Sequence, residues 1–127
     1  MSVSILELKK ALTTLEDSLK LFSNSIIDSN ENKAFRDASI QRFEYCVELS
    51  WKVSIKSLGL KTDAARPAIR DMARNGFIEN INLWFEFVDA RNNSSHSYDE
   101  KTAISVFQVA QKLPLEAHKL IKILELQ

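Results

Sequence analysis

Seven apolar side chains near the start of the chain, Ile5, Leu8, Leu12, Leu15, Leu19, Phe22 and Ile26, follow an alternating three- and four-residue spacing. That spacing places all seven on one face of an α-helix of about six turns, and a helix with such a seam must bury it against a neighbour. The same periodicity returns along the chain. From about Ala34 to Leu58, one stripe is formed by Ile40, Phe43, Val47, Trp51, Ile55 and Leu58, widened by Cys46, Leu49 and Val53. A stripe that broad needs more than one packing partner. Gly and Pro number two each in 127 residues. A β-sandwich needs a turn about every ten residues, so this scarcity excludes it and suits long helices with short links.

The breaks follow from local chemistry. The segment 28–32, Asp-Ser-Asn-Glu-Asn, carries side chains that compete for backbone hydrogen bonds and is expected to end the first helix. Gly59 stands where a C-terminal glycine belongs. A short third helix is expected from near Pro67, with Ile69, Met72 and Ala73 inward and Gly76 at its end. A fourth begins at Asn80 with Ile81, Trp84, Phe85 and Val88, and Arg-Asn-Asn-Ser-Ser-His-Ser-Tyr-Asp-Glu (91–100) interrupts it. A last helix carries Val106, Ala110, Leu113, Ala117, Leu120 and Leu124, bent or split by Pro114. The expected fold is all-α: an up-and-down bundle of about five helices, one short, forming a single domain over residues 1–127.

Composition narrows the functional classes. Lys plus Arg equals Asp plus Glu, 17 each, so the chain lacks the global basic footprint of a nucleic-acid binder; phosphate would have to be held locally or with a partner. Cys46 is the sole cysteine, which excludes an internal disulfide and a cysteine-based metal site and suits the reducing cytoplasm. The start, Met-Ser-Val-Ser-Ile-Leu-Glu-Leu-Lys-Lys-Ala-Leu, is not read as a signal peptide, and no apolar run approaches the ~20 residues of a membrane helix. There is no Gly-rich phosphate loop, no Gly-Ser with a spaced Asp-x-Asp, and no His/Asp/Glu metal spacing. No cofactor or metal is expected, and the chain cannot by itself hold a metal-bound nucleotide.

One constellation carries chemistry. The fourth helix's inner stripe, Ile81–Trp84–Val88, extended by three residues, lands on Arg91. A guanidinium at the end of an apolar stripe needs a partner (Asp89, Glu86 or another chain) or a cleft that receives an anion. Ser97 with Glu100 reads as a capping box for the last helix, which sets His96 just before a helix N-terminus, where anions are favoured. A neutral imidazole beside a phosphate is what acid–base chemistry on RNA requires. Surface histidines at helix ends are also common, and spacing alone does not separate the two readings. Arg66, Arg70 and Arg74, four apart, form a ridge on the third helix. They are candidate phosphate contacts, or a solvated face moderated by Asp63 and Asp71. His118, beside Lys119 and Lys122, reads as an exposed residue favouring the helix dipole.

The stretch from Arg36 to Lys52, the Pro67–Gly76 helix, Trp84, and Asp89 to Tyr98 together resemble the HEPN superfamily, and more narrowly its nucleotidyltransferase substrate-binding proteins. The most specific part is Arg-x4-His-x-Tyr with a polar residue after the Arg, matched by Arg91, Asn92, His96 and Tyr98. The resemblance implies a helical bundle that forms a homodimer in which two Arg–His motifs share a cleft. It implies a metal-independent ribonuclease toxin, encoded beside and restrained by a minimal nucleotidyltransferase that in some pairs adenylylates the motif tyrosine, here Tyr98. On that pattern Arg91 and His96 are catalytic, and Asn92 holds a phosphate oxygen or orients His96. The apolar run Trp84, Phe85, Phe87 and Val88 is expected near the dimer axis. The alternative is a non-catalytic subunit that binds RNA or nucleotide for a nucleotidyltransferase.

Overall fold

The computed structural model describes residues 3–127; Met1 and Ser2, at the start of the expected domain, lie outside the described residues. Those described form α1 (Ile5–Asn24), α2 (Asn30–Leu58), α3 (Ala65–Arg74), α4 (Ile81–Asn93), a 3₁₀ turn (Ser94–His96), α5 (Glu100–Ala110) and α6 (Leu113–Glu125), with no strand among them. The fold is an all-α bundle. α5 and α6 are the two halves of the predicted last helix, parted at Gln111 and Lys112. Pro114 falls in the first turn of α6, where its missing N–H costs no hydrogen bond.

α1 ends earlier than its apolar spacing predicts. Leu8, Leu12 and Leu15 are buried, but Ile26 lies beyond the helix and is 80% exposed. Ser25 is extended, and its hydroxyl donates to the Phe22 carbonyl at 2.7 Å. α2 begins at Asn30, four residues before its predicted start, because Ser29 accepts from the Asn32 backbone N–H at 3.0 Å. The buried Asn32 amide then donates to the Phe22 carbonyl (3.2 Å) and to Ser25 Oγ (2.9 Å), stitching the end of one helix to the start of the next.

α2 is the centre of the bundle. Ile40, Phe43, Cys46, Val47, Leu49, Trp51, Val53 and Ile55 are all buried, on a front wide enough to meet α1, α3, α4, α5 and α6. Its buried serines are satisfied at home: Ser39 donates to Phe35 O (2.8 Å), Ser50 to Cys46 O (2.7 Å) and Ser54 to Ser50 O (2.7 Å). Burial pushes the Cys46 thiol up to about 12. The helix stops at Gly59, whose φ of 69° is left-handed backbone that a side chain would strain.

The aromatic run of α4 corrects one expectation. Trp84, Phe87 and Val88 are buried in the chain's own core, so they offer no surface near a dimer axis. Phe87 packs edge-on against Phe43 (centroids 6.3 Å apart) and Trp84 (5.1 Å). Only Phe85 is partly exposed, beneath Arg66 at 4.7 Å and Arg70 at 5.7 Å. Phe87→Ala should therefore destabilise the fold by about 3–5 kcal/mol. Urea unfolding would read this directly; a loss below ~1 kcal/mol would return Phe87 to the surface.

Candidate functional site

Arg91 closes the inner stripe of α4, as the spacing predicts, and its side chain is 37% exposed. Its partner is neither Asp89 nor Glu86. Arg91 Nε lies 2.8 Å from Oε1 of Glu48 on α2, and Glu48 is also held by Lys52 at 3.2 Å. The Arg91 Nε–H is not aligned on the carboxylate, so the contact is an ion pair rather than a directed hydrogen bond. Asp89 is taken by Arg66, and Glu86 by Lys112 at 3.1 Å.

Beyond Arg91 the chain winds through a short 3₁₀ turn instead of stopping. Ser94, buried, donates to the Arg91 carbonyl at 2.6 Å, and Ser95 donates to Asn92 O at 3.2 Å. The capping box expected at Ser97 does not form. Ser97 has helical backbone angles (φ −70°, ψ −6°), whereas an N-cap is extended. Asp99 is the cap: its Oδ2 accepts from the Thr102 N–H at 3.1 Å and the Thr102 hydroxyl at 2.7 Å. The positive end of α5 is thus already answered by a resident carboxylate, which overturns the expectation of an open anion site there.

Glu100, freed from capping, reaches across to Arg36 near the start of α2, with contacts of 2.6 and 3.3 Å. Arg36 is nearly buried and also donates to Asp37 at 3.1 Å. The hydrogen bond from Arg36 holds the Glu100 carboxyl below the usual carboxylate range, and the same bond raises the Arg36 guanidinium. The turn carrying His96 is therefore bracketed by two ion pairs to α2, Arg91–Glu48 before it and Glu100–Arg36 after it.

His96 and Tyr98 project from this turn, both exposed, with ring centroids 6.2 Å apart and edge-to-face. They border different grooves. His96 lines one with Asn93, Lys101, Thr102, Ser105 and Val106, of about 460 Å³. Tyr98, 86% exposed and ahead of α5, lines a second with Asp37, Gln41 and Glu44 on α2. Among the described residues no hydrogen bond or ion pair joins Arg91 to His96, and Asn92 is exposed. In the arginine ridge, Arg66 binds Asp89 rather than Asp63, Arg74 pairs with Asp71 at 3.1 Å, and Arg70 lies over Phe85. His118, exposed, lies 3.0 Å from Glu16 on α1.

The sequence reading missed Glu48 and the Arg36–Glu100 bridge. For Asp99 a local signal was present, since Asp-x-x-Thr places an acceptor three residues before a helical N–H.

Glu100→Gln isolates the second bridge. The folded carboxyl titrates below its unfolded value, so the stabilisation is present above the ordinary carboxylate range and is lost as pH falls through the depressed value. The melting temperature of Glu100→Gln should lie below wild type near neutral pH, and the two should converge in acid. A gap independent of pH would show that the bridge stabilises nothing through charge.

Comparison with known proteins bears on the whole chain. It is 30% identical over 92 residues, 66% of its length, to a Haemophilus influenzae protein named probable ribonuclease HepT, and the match spans 63% of that relative. The fold superposes on a Haemophilus influenzae structure described as a substrate binding domain of a nucleotidyltransferase, with TM-score 0.82 and 24% identity over 96% of this chain and 99% of that one. A crystal structure from Thermus thermophilus matches with TM-score 0.77 and 28% identity, over 92% and 98% of the two chains. Residues 4–125 match the model of a single family, and the chain belongs to it: the nucleotidyltransferase substrate binding protein like family.

Proposed function

We propose that this chain is a HEPN-type, metal-independent endoribonuclease toxin, cytoplasmic, paired with and neutralised by a minimal nucleotidyltransferase encoded nearby. The observation that carries this reading is the pairing of an exposed His96, whose ring nitrogens have no hydrogen-bond partner among the described residues, with an Arg91 anchored to α2 five residues earlier. The relative named probable ribonuclease HepT supports it.

The chemistry follows from those two groups. The RNA 2′-oxygen forms a bond to the adjacent phosphorus as the phosphorus–5′-oxygen bond breaks. One imidazole takes the 2′-hydroxyl proton, and a second gives a proton to the departing 5′-oxygen. Each chain supplies one His96, so the pair requires a homodimer, assembled on surfaces other than the buried Trp84, Phe87 and Val88. Arg91 approaches Glu48 through Nε, which leaves its Nη groups to stabilise charge on the five-coordinate phosphorus. Asn92 supports a phosphate oxygen.

His96→Ala and Arg91→Ala should each lower RNA cleavage in the presence of EDTA by about 10²–10⁴, with helical content unchanged. Cleavage by His96→Ala at the wild-type rate, or its abolition by EDTA, would end this reading. The second reading, a non-catalytic subunit binding substrate for a nucleotidyltransferase, would then replace it. That reading is favoured by the family itself and by the solvent-open grooves beside the turn.

Tyr98 is the candidate site of control. Its near-complete exposure suits it to receive AMP from the partner enzyme, and a bulky anion there would repel RNA. Coexpression with the neighbouring nucleotidyltransferase should add AMP units to the intact mass, and Tyr98→Phe should lose them. No added mass beside an active partner would leave Tyr98 unmodified.

A further inference from the structure

The two grooves beside the 3₁₀ turn differ in charge. The groove on the α2 side, which Tyr98 borders, is lined by Glu44 and by Asp37, the latter also in contact with Arg36 at 3.1 Å. The groove on the α5 side is lined by Asn93, His96, Lys101, Thr102, Ser105 and Val106, with no carboxylate among them. Of the acids nearest in sequence, Asp99 caps α5 by accepting from Thr102, itself a groove residue, and Glu100 is drawn across to Arg36. Lys101 forms no ion pair among the described residues, and the side chains of Asn93 and Ser105 make no hydrogen bond there.

The arrangement on α5 is regular. Lys101 and Ser105 are four residues apart, as are Thr102 and Val106, so both pairs line the same side of the helix. An ammonium and a hydroxyl stand side by side above the apolar floor of Val106, which is 3% exposed, with the His96 imidazole at the rim. An ammonium and neutral hydrogen-bonding side chains, over a small apolar base, fit a phosphodiester and its sugar.

We propose that this α5 groove is the RNA-binding track, and that Lys101 holds the backbone phosphate next to the one at His96, with Ser105 and Asn93 as hydrogen-bonding partners. The assignment of the neighbouring phosphate as the one attacked rests on the ribonuclease reading; the groove's affinity for RNA does not. RNA enters on the α5 flank, and the acidic α2 flank repels it. The Arg66–Arg70–Arg74 ridge, two of whose cations are paired with Asp89 and Asp71, is not the main contact.

The test uses the full chain and a mixed-sequence 2′-O-methyl RNA hexamer, which lacks the attacking hydroxyl and stays intact. Amide chemical shifts should move at Asn93, His96, Lys101, Thr102 and Ser105. Lys101→Gln, an exposed position, should weaken binding by about three- to tenfold. It should also flatten the dependence of log affinity on log salt by about 0.7, the share of one single-strand phosphate contact. Lys122→Gln on α6 removes the same charge and should change neither quantity. Shifts confined to Gln41, Glu44 and Tyr98, or to α3, would overturn the proposal, as would an unchanged salt slope in Lys101→Gln or no binding at millimolar hexamer. A wild-type chain that binds the hexamer through this groove yet leaves unmodified RNA uncut would overturn the ribonuclease reading and leave the groove standing.

Discussion

α2 is enclosed by five other helices, and that enclosure sets the terms for everything attached to it. Within that enclosure a buried polar side chain must find its partner close at hand. Each buried group left unpaired would cost about 1–3 kcal/mol. Hence its interior serines turn back onto their own carbonyls, and Ser39 also meets Ser18 of α1 at 2.9 Å. Charged side chains take the rest of its surface, and all but Arg36 are at least partly exposed. Two of them, Arg36 and Glu48, sit twelve residues apart in sequence, about 18 Å along the axis. They are the two anchors that reach the turn carrying His96. α2 is therefore both the core of the bundle and a ruler against which the start and end of that turn are fixed.

Much of this was legible in the sequence because apolar periodicity is a strong, local and redundant signal. Ile40, Phe43, Val47, Trp51 and Ile55 recur at helical spacing over four turns and together announce one buried face. The end of α1 was harder. Ile26 continues the period, but Ser25 outweighs it with a hydroxyl that takes the carbonyl an extra turn would need. The cap of α5 offered two candidates two residues apart, Ser97 and Asp99, each with an acceptor of the right reach. Asp99 takes the cap, and Glu100, the other half of the expected box, pairs instead with Arg36, 64 positions away. No local pattern reports such a pairing. The aromatic run of α4 misled for a related reason: buried and exposed faces look alike in sequence when a helix is packed on several sides.

The catalytic candidates show the same division. Arg91 and His96 are legible as a motif, while the charge of their surroundings is a tertiary property. Whether an anion meets attraction or repulsion beside the turn depends on which carboxylates are occupied. Asp99, Glu100 and Glu48 are each engaged by groups from Thr102, Arg36, and Arg91 with Lys52. The turn's rims consequently differ in sign although its sequence is nearly symmetrical in polarity. Its backbone is stiffened by serine hydroxyls rather than by apolar packing, so His96 can be held in place while remaining wet.

Cys46 gives the bundle an internal clock. Its thiol is fully buried, donates no reactive thiolate at physiological pH, and is the chain's sole cysteine. A soluble alkylating reagent can reach it only when the helices around α2 part. Its rate of modification therefore counts openings of the enclosed helix, with no background from other thiols, and oxidants that strike surface cysteines find nothing to strike while the bundle is closed.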